Sequence, residues 1–321
     1  MNPIRLSVAL PLLLFSLALR AQEPSQPILI NVERVNVGVI VTDSHGKFVE
    51  GLRCKDMHVF DNGTEQPITE FASVEEPAQV LLLLEAGPAV YFFQDSNLFV
   101  AEALLSGLSA GDQIAVARYA QAPATLLNFT PNKQAAQAAL DQIRFNLGFG
   151  QLNLSASLLG VLEWLVRVPG KKTIVLISTG VDTSSPTLIE ALQQNLRVLD
   201  IRILAISMSG PLRNGKQGDK RAALQVQQGF EDADARLRSL AEATGGRAFF
   251  PENAKAFQDI YRQIAELVRH EYSLAFTPPK ADGTVHSIDV KVDFGIATGT
   301  EKTPDYRVDH RNAYLAPKPP Q

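Results

Sequence analysis

Leu81-Leu82-Leu83-Leu84-Glu85-Ala86-Gly87-Pro88-Ala89 is the stretch on which the fold turns. From Val80 to Leu84 no polar residue interrupts the run, which is the pattern of a strand buried on both faces. Residues 114–117, 174–177 and 201–206 repeat it. Between these runs lie apolar stripes with the 3.6-residue helical period. Thr130-Pro131 reads as an N-cap and first-turn proline, opening a helix with Ala136, Ala139, Leu140 and Ile143 on one stripe. Leu154, Leu158, Val161, Leu162 and Leu165 mark a second helix. Ser185-Pro186 opens a third, with Leu188, Ala191, Leu192 and Leu199. A fourth carries Leu237, Leu240 and Ala241 and closes at Gly245-Gly246; a fifth carries Phe257, Ile260, Tyr261, Ile264 and Leu267. Alternating strands and helices predict an α/β domain over residues 78–272, with a doubly wound, mostly parallel sheet.

Outside that domain the pattern is β throughout. Ile28, Ile30, Val32, Val35, Val37, Val39 and Val41 alternate as in a strand. Asp61-Asn62-Gly63 separates residues 57–60 from 67–71, and Asn-Gly between such runs signals a hairpin. Residues 272–276, 285–294 and 306–308 are strand-like again. The expectation is one β-rich module built from residues 28–75 and 273–314, with the α/β domain inserted in it. Residues 22–27 read as a linker and 315–321 as a loose tail. The polar, basic segment 211–228 reads as a surface loop.

The composition is that of an ordinary globular chain: 321 residues, 45% hydrophobic and 20% charged. A net charge of -4 gives no field favouring nucleic acid or an anionic membrane surface. Arg5 precedes an apolar run from Leu6 to Leu19, and Ala21 follows at a plausible cut site. That is the layout of a signal peptide over residues 1–21, and it predicts a secreted or periplasmic protein. The alternative is an uncleaved anchor. Spanning a bilayer takes about 20 apolar residues, and no later segment of the sequence is long and apolar enough. Cys54 is the sole cysteine, so no internal disulfide can form; it reads as a small packed residue.

Ligands of open α/β sheets bind outside the carboxyl ends of strands, and residues 85–89 follow such an end. Further residues belong with it: Val41-Thr42-Asp43 with Gly46, Gly51-Leu52, Val59-Phe60-Asp61-Asn62-Gly63, Gln66-Pro67-Ile68 and Phe71. Then come Gly111-Asp112, Phe129-Thr130, Ile174-Val175-Leu176-Ile177, Ala243-Thr244-Gly245-Gly246-Arg247-Ala248-Phe249, Tyr272 and Tyr314. In their order and spacing the chain resembles von Willebrand factor type A (VWFA) domains. More closely it resembles the VWFA-related family of acidobacterial exported proteins.

The resemblance implies a divalent cation at the carboxyl edge of the sheet. Its ligands would be an Asp-x-Ser-x-Ser loop, a threonine on a second loop and an aspartate on a third. This chain departs from that pattern throughout. Glu85 stands for the aspartate, Gly87 and Ala89 for the serines, Leu152 for the threonine, and Thr179 for the last aspartate. Mg²⁺ wants oxygen ligands in near-octahedral array, and glycine, alanine and leucine side chains have none. The expectation is a degenerate metal site and no cofactor. The alternative is a cation-dependent site (Mg²⁺, Mn²⁺ or Ca²⁺) with ligands drawn from Asp95, Ser178 and Asp182. Ser155 and Ser157 join that set if the loop register is shifted. Glu85 has two readings: a carboxylate that receives a basic group from a partner, or one that caps a helix or pairs with a local Lys or Arg.

Signatures of enzymes are missing. The five histidines show no metal-ligand spacing and read as solvated. No Gly-x-Ser-x-Gly elbow occurs, and Gly148-Phe149-Gly150 lacks the Gly-Lys-Ser/Thr of a phosphate loop. The expected function is therefore a non-enzymatic, metal-independent protein-binding module. Its partner is a protein and not nucleic acid, with no membrane span once the signal peptide is removed. Its contact face comprises Glu85, Gly87, Pro88, Ala89, Gln151, Asn153, Thr179 and Asp182. A further alternative is a scaffold whose β module carries the binding.

Overall fold

The computed structural model describes residues 34–75, 77–87, 104–143, 151–210, 220–293 and 305–318. Its strands are β1 (Val35–Thr42), β2 (Met57–Asp61), β3 (Thr64–Gln66), β4 (Glu70–Glu75), β5 (Gln79–Glu85), β6 (Gln113–Tyr119) and β7 (Pro123–Thr130). They continue with β8 (Lys172–Ser178), β9 (Ile201–Ser207), β10 (Arg247–Phe249), β11 (His270–Phe276), β12 (Val285–Val292), β13 (Arg307–Asp309) and β14 (Ala313–Leu315). The helices include α1 (Lys133–Asp141), α2 (Leu154–Leu165), α3 (Pro186–Val198), α4 (Lys220–Ala243) and α5 (Ala254–Arg269).

A six-stranded sheet runs β10-β9-β8-β5-β6-β7. Every neighbouring pair is parallel except β6 with β7. The order reverses between β5 and β8, so this is the doubly wound, mostly parallel arrangement expected from the sequence. The apolar run of β5 explains its central place. Val80, Leu82 and Leu84 enter one core, Leu81 and Leu83 the other, and none is more than 3% exposed. Burying each leucine contributes about 2 kcal/mol. Ala136, Leu140, Tyr261 and Ile264 of α1 and α5 close the first core. Leu158, Leu162, Leu196 and Leu237 of α2, α3 and α4 close the second.

The remaining strands form two antiparallel four-stranded sheets, β13-β1-β11-β4 and β14-β12-β2-β3. Each joins strands from both ends of the chain. β1 pairs with β11 from Val35↔Phe276 to Val39↔Tyr272, and β2 pairs with β12 from Asp61↔Ile288 to Met57↔Val292. Val37, Val59, Leu274 and Val290 of these sheets belong to the first α/β core. Asn62 (φ 48°) and Gly63 (φ 79°) both take the left-handed backbone that a two-residue hairpin turn requires.

Several local expectations are corrected. The cap of α1 is Asn132, whose side chain accepts from the Ala135 N–H; Thr130 instead ends β7. β7 lacks the clean alternation of a strand because register shifts break its pairing with β6 between Ile114 and Ala117. The segment read as a loop up to Gln228 is helical from Lys220 onward, in keeping with its Ala, Leu, Gln, Lys and Arg content. The hairpin partner of β2 is Thr64–Gln66, while β4 crosses to the other sheet. Cys54 is exposed in a 3-10 turn (Cys54–Asp56), not packed. His286 is buried, not solvated: its Nδ1 lies 2.8 Å from Asp61 Oδ1 and its Nε2 3.2 Å from Asp282 Oδ1. The signal-peptide, linker and residue 28–32 readings lie outside the described residues, as do Pro88, Ala89, Asp95 and 319–321.

Candidate functional site

Three strand ends meet where the sheet order reverses. Glu85 closes β5, Tyr119 closes β6 beside it in register, and Ser178 closes β8. Strand parity sends all three to one face. Glu85 follows Leu81 and Leu83, Tyr119 follows Ala115 and Ala117, and Ser178 follows Ile174 and Leu176, all members of the second core. The Glu85 side chain therefore turns inward and is 0% exposed.

Four groups donate to Glu85 Oε2: Thr179 N–H at 2.8 Å, Thr179 Oγ1 at 2.8 Å, Ser178 Oγ at 3.0 Å and the Tyr119 hydroxyl at 3.2 Å. Oε1 lies 3.0 Å from Thr179 Oγ1. The Tyr119 and Ser178 hydroxyls are 2.7 Å apart. Gly180 N–H donates to Ser178 Oγ (2.8 Å) and Val181 N–H to Thr179 Oγ1 (3.3 Å). Thr179 Oγ1 thus donates to the carboxylate and accepts from a backbone N–H, while Ser178 and Tyr119 also share a hydrogen bond in which either hydroxyl can be the donor. Burial pushes the Glu85 carboxyl above its ordinary range, against the pull of hydrogen bonds from Thr179, Ser178 and Tyr119. Burial also raises Tyr119, which stays a phenol and a donor.

Leu152 packs beside this cluster, against Gly87. A Cβ built on Gly87 would fall 2.7 Å from Leu152 Cδ2 and 3.3 Å from Glu85 Oε1. A side chain at 87 would therefore displace the end of Leu152. The loop after β8 is fixed in the same way: Gly180 has φ +78°, and a Cβ there would sit 2.5 Å from the Ala233 carbonyl oxygen.

The outer loops tie to each other rather than to Glu85. Asp182 Oδ2 accepts from Ser155 N–H (3.2 Å) and Oγ, and its Oδ1 accepts from Ser184 N–H (3.0 Å), so it caps the first turn of α2 from another loop. Burial opposes its ionisation, but the bonds from Ser155 and Ser184 hold its carboxyl below the ordinary range. Thr183 N–H donates to the Leu152 carbonyl (2.7 Å), and Asn153 Nδ2 donates to the Gln121 carbonyl (3.1 Å). Ser157 Oγ is buried and has no hydrogen-bond partner among the described residues.

This geometry corrects part of the expected contact face. Glu85, Gly87 and Thr179 are buried and cannot touch a partner. Gln151 is exposed, and Asn153 and Asp182 are half-buried at the rim. Neither reading of Glu85 holds, since its partners are hydroxyls and one backbone N–H. Tyr119 went unrecognised as a site residue, although its place at the end of the strand neighbouring β5 is a usable signal. Among the described residues, no three His, Cys, Asp or Glu side chains form a group able to hold a metal ion.

No family model matches the sequence, and no curated protein does. Solved structures do match. An aerotolerance-related membrane protein from Bacteroides fragilis is 14% identical, over 60% of this chain and 100% of that one, with a TM-score of 0.43. A von Willebrand factor type A protein from Catenulispora acidiphila is 10% identical, over 88% of this chain and 74% of that one, with a TM-score of 0.47. The VWA domain of SpRpn10 is 10% identical, over 57% of this chain and 93% of that one, with a TM-score of 0.41. The likeness is to von Willebrand factor type A domains. It concerns the fold alone, and the chain's own strand order carries the α/β assignment. Among the described residues no helix is long and apolar enough to cross a membrane.

Proposed function

We propose that the chain is an exported, non-enzymatic protein-binding module of the VWFA type, whose contact needs no metal ion. The supporting observation is the closed hydrogen-bond set around Glu85. A hard dication needs oxygen lone pairs in near-octahedral array. Here the Thr179 hydroxyl donates to Glu85 and accepts from Val181 N–H, and the Ser178 hydroxyl is taken up by Glu85, Tyr119 and Gly180 N–H. Gly87 and Leu152 add no side-chain oxygen. These residues do not fit Mg²⁺. Export is supported by the short apolar run after Arg5.

Contact then falls to the rim of the loops: Gln151, Thr183 and Val181, an apolar side chain 37% exposed. The test is capture of partners from an exported-protein extract in EDTA. It compares the unaltered chain with Val181→Asp at the rim and Leu315→Asp on β14, which is 46% exposed. The reading predicts specific capture in EDTA that Val181→Asp abolishes and Leu315→Asp spares. Capture that requires added Mg²⁺, or is lost only with Leu315→Asp, would overturn it. The second outcome would place binding on the flanking sheets.

A further inference from the structure

At the other end of the α/β sheet lies a cavity of about 320 Å³. Lys172 opens β8 there, and Ser178 lies six residues further along that strand, about 20 Å away at 3.3 Å per residue. Among the described residues, four cationic side chains line the cavity (Lys171, Lys172, Arg202 and Arg311) against two carboxylates, Asp200 and Glu271. The lining therefore carries a surplus of two positive charges.

Two of the four cations are committed to the fold. Arg202 donates from Nε to the Gly245 carbonyl (3.0 Å), from Nη1 to Glu271 (2.8 Å) and from Nη2 to the Gly38 carbonyl (3.2 Å). Lys172 Nζ donates to the carbonyls of Gly170 (2.8 Å) and Val168 (3.3 Å). Glu271 is shared between Lys171 (3.1 Å) and Arg202. Arg311 is different. Its Nη2 donates to the Asn36 carbonyl (2.6 Å), but its Nε is buried with no hydrogen-bond partner among the described residues. A buried donor left unsatisfied costs about 1–3 kcal/mol, and more when it is charged. Gly38 lets the Glu271–Arg202 ion pair lie close against β1, because a Cβ there would come within 2.8 Å of Glu271 Oε2 and 3.1 Å of Arg202 Nη2.

We propose that this cavity binds a small doubly charged oxyanion, a phosphate group, held by its surplus of cationic groups with Arg311 on its wall. A dianion matches the charge surplus, and a guanidinium pairs with phosphate oxygens through parallel N–H donors. The site is separate from the Glu85 cluster and does not depend on the reading of that cluster.

The experiment is isothermal titration of the full-length chain with inorganic phosphate, at ionic strength held constant with chloride. Glycerol phosphate in a parallel titration separates free phosphate from a phosphate ester. Expected is saturable 1:1 binding, weakened about tenfold or more by Arg311→Gln, the loss of one charged hydrogen bond. Asp200 is exposed, so Asp200→Asn should leave the fold intact and tighten binding severalfold by removing a like charge. It keeps the test decisive if Arg311→Gln fails to fold. No saturable heat with either anion, or affinity unmoved by both substitutions, would overturn the proposal.

Discussion

Replacing Glu85 with glutamine and with alanine separates an internal hydrogen-bond hub from a metal ligand. In Glu85→Gln the amide oxygen can take the place of Oε2 and keep its four donors. The amide nitrogen then takes the place of Oε1, whose contact is Thr179 Oγ1 at 3.0 Å. Losing the charge weakens each bond by about 1 kcal/mol. Removing a buried charge returns several kcal/mol of desolvation. The two nearly cancel, leaving a net change of about 1 kcal/mol. Glu85→Ala has no such compensation. Thr179 N–H, Thr179 O–H and Ser178 O–H lose their acceptor together, at about 1–3 kcal/mol each, while Tyr119 still reaches Ser178. The expected cost is about 5 kcal/mol, a large share of the total stability of a domain. Urea unfolding checks this through the midpoint at constant m-value. The pH dependence has a definite sign. Glu85 is raised above its ordinary 4.5, so its contribution is full below that pH and falls as pH rises through the folded value. Glu85→Gln should therefore gain on the unaltered chain as pH rises above 4.5. An alanine variant no less stable than the glutamine variant would refute the reasoning.

Gly87→Ser should destabilise by about 1–3 kcal/mol through overpacking against Leu152, and adding Leu152→Ala should recover part of that loss; thermal unfolding of both variants checks it. Burial of His286 works against its charge, but hydrogen bonds and charges from Asp282 and Asp61 outweigh it and raise its pKa above 6.5. The stability it contributes is thus full below pH 6.5 and lost as pH rises through the folded value. Urea midpoints between pH 6 and pH 9 should fall for the unaltered chain and flatten for His286→Gln; equal slopes would contradict this.

The α/β architecture was legible because parallel strands buried on both faces write themselves as unbroken apolar runs, as at Val80–Leu84. β7 was harder, since an edge strand with bulges loses its alternation. Ser185 and Pro186 announced α3 correctly, whereas Thr130-Pro131 misled because Asn132, two residues on, supplies the cap. At the site, the changes at Glu85, Gly87, Leu152 and Thr179 could be read one by one. Their mutual fit could not. It depends on strand parity turning Glu85 inward and on Tyr119 arriving from the next strand, both of which follow from sheet order rather than local sequence. His286 escaped notice because its partners Asp61 and Asp282 come together through the pairing of β2 with β12 and the turn before β12.

Titration calorimetry of the full-length chain with Mg²⁺, and then Mn²⁺, asks most directly whether the hydrogen-bonded glutamate has taken over the place of a cation. The account predicts no saturable heat beyond dilution, and none gained or lost in Thr179→Ala. Uptake of one equivalent that disappears in Thr179→Ala would contradict it.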